Sequence, residues 1–258
     1  MAKQKLGQHF LFDKNILRKI ATVAKTFAGN KILEIGPGMG TLTEQLLELF
    51  ENVYAVELDS RLCGYLSERF ANRENFILLN ADILKVNIET LPVNAAVGNI
   101  PYYITTPIIF KLLEAENIDS FCLLMQSEVA KRIISKSGSK DYGILSVNVQ
   151  FQADVKIVFK VGSRCFSPPP RVDSAFVTFQ KKSVPIELTK TLRLLTQRAF
   201  GMRRKTLFNN LKEFFGDETE GFLREFALSQ KVRAEDLDVE TFAKMAERIL
   251  KTGKGFGG

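Results

Sequence analysis

The chain holds one histidine and three cysteines in 258 residues, and both scarcities exclude chemistry. A Ser-His-Asp triad, an HExxH zinc site and a histidine-anchored deaminase zinc site each need a well-placed histidine. The single candidate, His9, stands near one end of the sequence. Cys63, Cys122 and Cys165 are odd in number, far apart and never in CxxC spacing, so neither a disulfide framework nor a zinc cluster is expected. Long apolar runs are also missing. No stretch of about eighteen apolar residues suggests a membrane span, and the basic start lacks the apolar core and cleavage site of a leader. These absences lead us to expect a cytoplasmic protein with no membrane association.

What is present suits a globular chain. Hydrophobic residues make up 45% and charged residues 25%, enough for a sizeable core in one α/β domain plus a smaller one. The net charge of +7 fits a polyanionic partner without establishing one. Short apolar runs at 31–35, 53–57, 76–79, 95–98 and 121–125 alternate with amphipathic stretches at 42–50, 61–70 and 107–115, with a further helix expected at 14–25. That alternation predicts a Rossmann-like α/β fold, a mainly parallel sheet with helices on both faces. Two β-rich runs at 155–161 and 172–179 are expected to close the sheet as an antiparallel pair. Near Gln180–Pro185 the strand signals stop and helical periodicity begins; Leu207, Leu211, Phe214 and Phe215 share one helical face. The expected domains are therefore 1–182 and a small α-helical domain at 183–258, ending in a disordered glycine-rich tail.

Directly after the first long strand comes Glu34-Ile35-Gly36-Pro37-Gly38-Met39-Gly40-Thr41. Glycine permits a tight turn and close approach of a ligand. A dinucleotide fingerprint would need its third glycine at 41, where threonine stands. The spacing fits a nucleoside ligand without phosphates, such as S-adenosylmethionine. About twenty residues on, Glu57-Leu58-Asp59 ends the next strand, where a carboxylate can accept from ribose hydroxyls. Asp82-Ile83 follows the third strand at the same edge of the sheet and could accept from an adenine amine. Glu57 and Asp82 can also be read as helix caps.

The most specific signal is Asn99-Ile100-Pro101-Tyr102, at the end of the fourth strand. An exocyclic adenine amine is a poor nucleophile because its lone pair is delocalised into the ring. Acceptors on both N–H groups draw the nitrogen toward tetrahedral geometry. The Asn99 side-chain oxygen and a carbonyl near Pro101 suit that task, proline stiffening the turn. Tyr102 would stack on the base. No strong base is needed, because the amine becomes acidic once methylated.

With these residues in place, the chain resembles the ribosomal RNA adenine N6-dimethyltransferases, most of all the bacterial small-subunit, kasugamycin-sensitivity branch. The likeness extends through Gly7-Gln8-His9-Phe10-Leu11, Gln126-Ser127-Glu128-Val129-Ala130, 140–147 and Phe166-Ser167-Pro168-Pro169-Pro170-Arg171-Val172-Asp173-Ser174-Ala175. It implies S-adenosylmethionine as cofactor, held by His9, Leu11, Gly36, Gly38, Glu57, Leu58, Asp82, Ile83 and Asn99. It implies Asn99, Pro101, Tyr102 and Phe166 as catalytic, Phe166 being a second aromatic wall or an anchor for the proline loop. Arg203, Arg204 and Lys205 match a basic, RNA-contacting motif, although Gly201-Met202 precedes it where many relatives carry a polar pair. The implied act is dimethylation of two adjacent adenines in a small-subunit rRNA hairpin loop, by a monomer working on a pre-ribosomal particle. A macrolide-resistance enzyme of the large subunit and an assembly factor acting by binding are the alternatives.

Overall fold

The computed structural model describes residues 9–252 apart from Arg203. The expected disordered tail at 253–258 lies outside the described residues. The chain enters through a two-residue strand, β1 (Phe10–Leu11), and helix α1 (Lys14–Lys25). Asp13 caps α1, accepting from the Asn15 and Ile16 backbone N–H groups. Leu17, Ile20, Ala21 and Ala24 form its buried stripe, at helical spacing. Strand β2 (Lys31–Ile35) precedes α2 (Thr41–Leu47), β3 (Asn52–Glu57), α3 (Ser60–Arg69), β4 (Phe76–Asn80) and β5 (Ala95–Asn99). Next come α4 (Thr105–Glu114), β6 (Ser120–Gln126), α5 (Ser127–Ile134), α6 (Ile144–Gln152), β7 (Ala153–Val161), β8 (Phe166–Ser167) and β9 (Ser174–Lys181).

Among the described residues, seven strands form one sheet in the order β4-β3-β2-β5-β6-β9-β7. The first five are parallel, β9 is antiparallel to β6, and β7 lies beside β9 at the edge of the sheet. Both faces of the central strands are covered. Ile32, Leu33, Ala96 and Val97 are all fully buried, which explains why these strands read as continuous apolar runs rather than alternating ones. Sequence order changes direction between β2 and β5, so the chain leaves these neighbours toward opposite sides of the sheet. The crevice at their carboxyl ends is where an open α/β sheet binds its ligand. Gly36 follows β2, and Asn99 ends β5.

A second unit carries α7 (Ile186–Ala199), α8 (Leu207–Phe215), α9 (Thr219–Glu225) and α10 (Val239–Thr252) around its own core of Leu192, Leu195, Leu211, Phe242 and Met245. Its boundary differs from the break expected at 182/183. Lys131–Asp154 groups with the residues from Lys182 onward, while Val155–Lys181 returns to the sheet. The physical reason is burial. Tyr142 and Val147 belong to the helical core, so the segment leaves the sheet unit in mid-chain and comes back.

Gly40 shows how tightly the turn before α2 is packed. It sits at φ +76°, and a Cβ there would lie 2.7 Å from the Phe70 ring and 2.8 Å from Leu66. Gly64, inside α3, has open space around it and ordinary helical backbone. Gly40→Ala should therefore cost about 1–3 kcal/mol, through strain and overpacking. Gly64→Ala should add about 0.5–1 kcal/mol from helix propensity. Urea unfolding of the two variants checks the opposite signs.

Candidate active site

The crevice is a cleft of about 1040 Å³, counting its open mouth, and every stretch of its wall comes from the sheet unit. Of the residues singled out in the sequence, His9, Leu11, Gly36, Gly38, Glu57, Leu58, Asp82, Ile83, Asn99, Pro101 and Tyr102 all line it.

Glu57 organises the nucleotide end. Its side chain is 4% exposed, and its carboxylate accepts three backbone N–H groups. Gly38 N–H donates to Oε2 at 3.1 Å; Leu58 and Asp59 N–H donate to Oε1 at 2.8 and 3.0 Å. A carboxylate offers about four acceptor positions, so one remains. Gly38 is at φ +58°, and a Cβ there would press to 3.0 Å from the Phe10 ring. The glycine is needed both for its backbone angle and for the close passage of Phe10. Asp82 accepts from Leu84 N–H at 3.0 Å through Oδ1 and also borders the cleft, so capping and site wall coincide in one residue. Asp59 is the cap of α3, accepting from Arg61 N–H. The paired Arg61 guanidinium holds the Asp59 carboxyl down at about 2.

Thr41, the residue that breaks the dinucleotide spacing, has a job of its own. Its hydroxyl donates to the Leu11 carbonyl at 2.9 Å, tying β1 to the start of α2. β1 pairs with β8, Phe10 opposite Ser167 and Leu11 opposite Phe166. His9 Nδ1–H donates to the Pro168 carbonyl at 2.7 Å. The chain entry is thus laid across the cleft by bonds at several points.

At the reacting end, the Asn99 side-chain amide donates from Nδ2 to the His9 carbonyl at 3.1 Å. This bond settles the rotation of the carboxamide. The nitrogen faces β1, and Oδ1 is the atom left to accept from a ligand. The Pro101 carbonyl accepts from Ile104 N–H at 3.2 Å, closing the turn. The Tyr102 hydroxyl is hydrogen-bonded to Ser174 Oγ at 2.8 Å, and burial pushes its phenol pKa upward. Tyr102 and His9 rings lie 5.8 Å apart, tilted by 31°. Tyr103, absent from the sequence expectations, lines the mouth and is 68% exposed.

Phe166 is not among the residues that line this cleft; it is 2% exposed and packs in the core with Leu11, Leu17, Val161 and Phe176. The β1–β8 pairing turns it inward beneath the chain entry, close to the anchoring role that was its alternative. Arg204 and Lys205 are exposed in the turn before α8, outside the helix itself, while Arg203 lies outside the described residues. Sequence reasoning also passed over Glu34 and Phe10 as site residues. Glu34 lies inside the motif that was read for its glycines, and Phe10 between the two expected contacts His9 and Leu11.

The charge of the wall is informative. It carries three carboxyl side chains, Glu34, Glu57 and Asp82, and neither lysine nor arginine among its described residues. Such a site repels phosphates and suits a cationic nucleoside. S-adenosylmethionine fits this donor set: a sulfonium and an ammonium for the carboxyl groups, and hydroxyls and an amine for their acceptor positions.

The comparisons agree with this geometry. The family model for ribosomal RNA adenine dimethylase matches residues 1–251. The chain is 43% identical to ribosomal RNA small subunit methyltransferase A of Chlorobaculum parvum, over 96% of this chain and 89% of that one. With the protein of the same name from Lactococcus lactis it shares 39% identity, over 98% and 91% of the two chains. Among solved structures, a dimethyladenosine transferase from Plasmodium falciparum superposes with a TM-score of 0.79 at 27% identity, covering 95% of this chain and 98% of that one. The 23S rRNA methyltransferase ErmE superposes at 0.70, also at 27% identity, covering 93% and 98%. With its fold, its cleft and its sequence in agreement over nearly the whole length, the chain belongs to the ribosomal RNA adenine dimethylase family, whose members depend on S-adenosylmethionine.

Proposed function

We propose that the chain dimethylates the N6 amines of two adjacent adenines in a hairpin loop near the 3′ end of small-subunit rRNA, acting in the cytoplasm as a monomer on a pre-ribosomal particle. The observation that carries the chemistry is the Asn99–His9 bond, which turns Oδ1 into a preorganised acceptor. When bound, S-adenosylmethionine supplies an electrophilic methyl group. The rest falls to the chain. A target base swung out of its loop stacks on Tyr102, whose hydroxyl is held by Ser174. Asn99 Oδ1 and the Ile100 carbonyl, held by the following proline, accept the two amine hydrogens and localise the nitrogen lone pair. Glu57 and Asp82 hold the nucleoside of the cofactor. Choice of subunit rests on the names of the relatives at 39–43% identity, since the fold matches a 23S enzyme almost as well.

The direct test is to incubate the chain with cofactor and either small- or large-subunit particles and map the modified nucleotide. Paired dimethyladenosines in the small-subunit RNA are expected; modification confined to the large subunit would overturn the assignment. In the same assay Asn99→Ala should lower single-turnover rate on the order of a hundredfold. Asn99→Asp keeps an acceptor but cannot donate to the His9 carbonyl. It should still lose about tenfold, because the His9 carbonyl loses its donor and the carboxyl group loses the bond that orients it. Full activity in the aspartate variant would show that the His9 link does not matter.

Phe166 separates wall from anchor. Phe166→Leu retains apolar bulk under β1 and should leave cofactor affinity and turnover within about threefold of the parent. Phe166→Ala opens a cavity costing about 3–5 kcal/mol, loosens β1 and should weaken both. Loss of turnover with intact cofactor affinity in the leucine variant would restore the ring to the substrate side.

Arg204 and Lys205 are the described part of the proposed RNA-binding surface. Replacing both with glutamine should reduce the log–log salt dependence of particle binding by about 0.7–0.9 for each phosphate no longer neutralised. An unchanged slope would mean that the pair is only solvated.

A further inference from the structure

Glu34 is the one carboxyl of the cleft to which the proposed reaction gives no part. It stands on β2 two residues before Gly36, flanked in the sheet by Ala55 and Val97. The residue is 1% exposed, lines the cleft, and its Oε2 has no hydrogen-bond partner. From α2 it faces the Thr43 hydroxyl, equally buried and outside hydrogen-bond geometry, yet near enough to favour the ionised carboxylate somewhat. From β3 it faces the Glu57 carboxylate, which opposes ionisation. Asp82, His9, Tyr102 and Tyr103 are the other titratable side chains of the wall, and no lysine or arginine lines it to offset the acids. Burial above all, with Glu57 adding to it, pushes the Glu34 carboxyl up to about 8. A buried polar atom without a partner is costly, and a ligand that supplies one removes the cost.

We propose that Glu34 is the receptor for the positive charge of the cofactor, protonated in the free protein and ionised when the cation binds, its proton passing to solvent. This rests on the functional reading above and adds a specificity device to it. A neutral nucleoside cannot drive off the proton, so it forgoes the charge pairing that a cationic one gains. The sign follows from linkage. Cation binding favours the ionised form, so affinity must rise with pH until the free carboxyl ionises by itself, and then level off.

Calorimetric titration of the full chain with S-adenosylmethionine at pH 6.5, in phosphate and in Tris, reads the proton directly, because the two buffers differ in heat of ionisation. At this pH the ligand ammonium is already charged, with an ordinary α-amino pKa of about 7.7–8.0, and contributes little. The parent should release close to one proton, and its affinity should rise roughly fivefold to tenfold from pH 6 to 7. Glu34→Gln, a neutral mimic of the protonated side chain, should release none and show a flat profile. Adenosine, with neither sulfonium nor ammonium, should bind the parent without proton release. Binding of S-adenosylmethionine with a buffer-independent heat would overturn the proposal and leave the functional reading standing. So would the same proton released by the glutamine variant or by adenosine. The parent titrations decide the matter even if that variant does not fold. A parent that does not bind S-adenosylmethionine at all would remove the functional reading, and this inference with it.

Discussion

The site depends first on the Glu57 carboxylate and the three backbone N–H groups that it accepts. One of these, from Gly38, belongs to the loop after β2; the other two follow β3 itself. A single buried side chain therefore fastens the glycine turn to the neighbouring strand end. Charge-assisted hydrogen bonds of this kind are about twice as strong as neutral ones, and the burial of Glu57 limits competition from water. The turn is held open as a ligand floor without a lysine or arginine, which leaves the cleft acidic. An acidic floor selects for a cation, and the absence of phosphate-binding chemistry follows from the same arrangement.

The second constraint is the path of the chain entry. Thr41 holds the Leu11 carbonyl, His9 holds the Pro168 carbonyl, and β1 pairs with β8 over Phe166. Through this one segment the floor of the cofactor site and the acceptor at the reacting end are mechanically joined. The His9 carbonyl is what orients Asn99, and the Tyr102 hydroxyl is anchored on Ser174 of β9. The stretch from Phe166 to Ser174 thus works from behind. It fixes His9 and Tyr102 on the cleft wall while lying outside that wall itself.

Most of the fold was legible because its signals are local. Lys14–Lys25 carries an amphipathic stripe beginning at a capping Asp13, and β2 is a short apolar run that ends at glycine. α6 was not legible. Val147, Val149 and Phe151 alternate in a manner suited to a strand. In the helix, the side-chain amide N–H groups of the buried Asn148 and Gln152 find acceptors. Asn148 donates to Ile144 O and Thr196 Oγ1, and Gln152 donates to Asn148 O. Thr196 is 48 residues away from Asn148, so no local pattern announces the partner. The departure of Lys131–Asp154 from the sheet unit escaped notice for the same reason.

By itself, the sequence determined the class of fold, the kind of chemistry and the polar and glycine positions around the cleft apart from Glu34, Thr41 and Tyr103. Glycine spacing, strand-end carboxylates and Asn99–Tyr102 are constraints that a ligand imposes on residue type at short range. Only the tertiary structure decided which way those residues work. It turned Phe166 into the core, where it pairs with Leu11 and packs beside it. It rotated Asn99 through a carbonyl 90 residues away, and it left Glu34 buried without a partner beside Glu57. Orientation, burial and charge proximity arise from contacts between distant segments. A linear chain specifies those contacts only once it has folded.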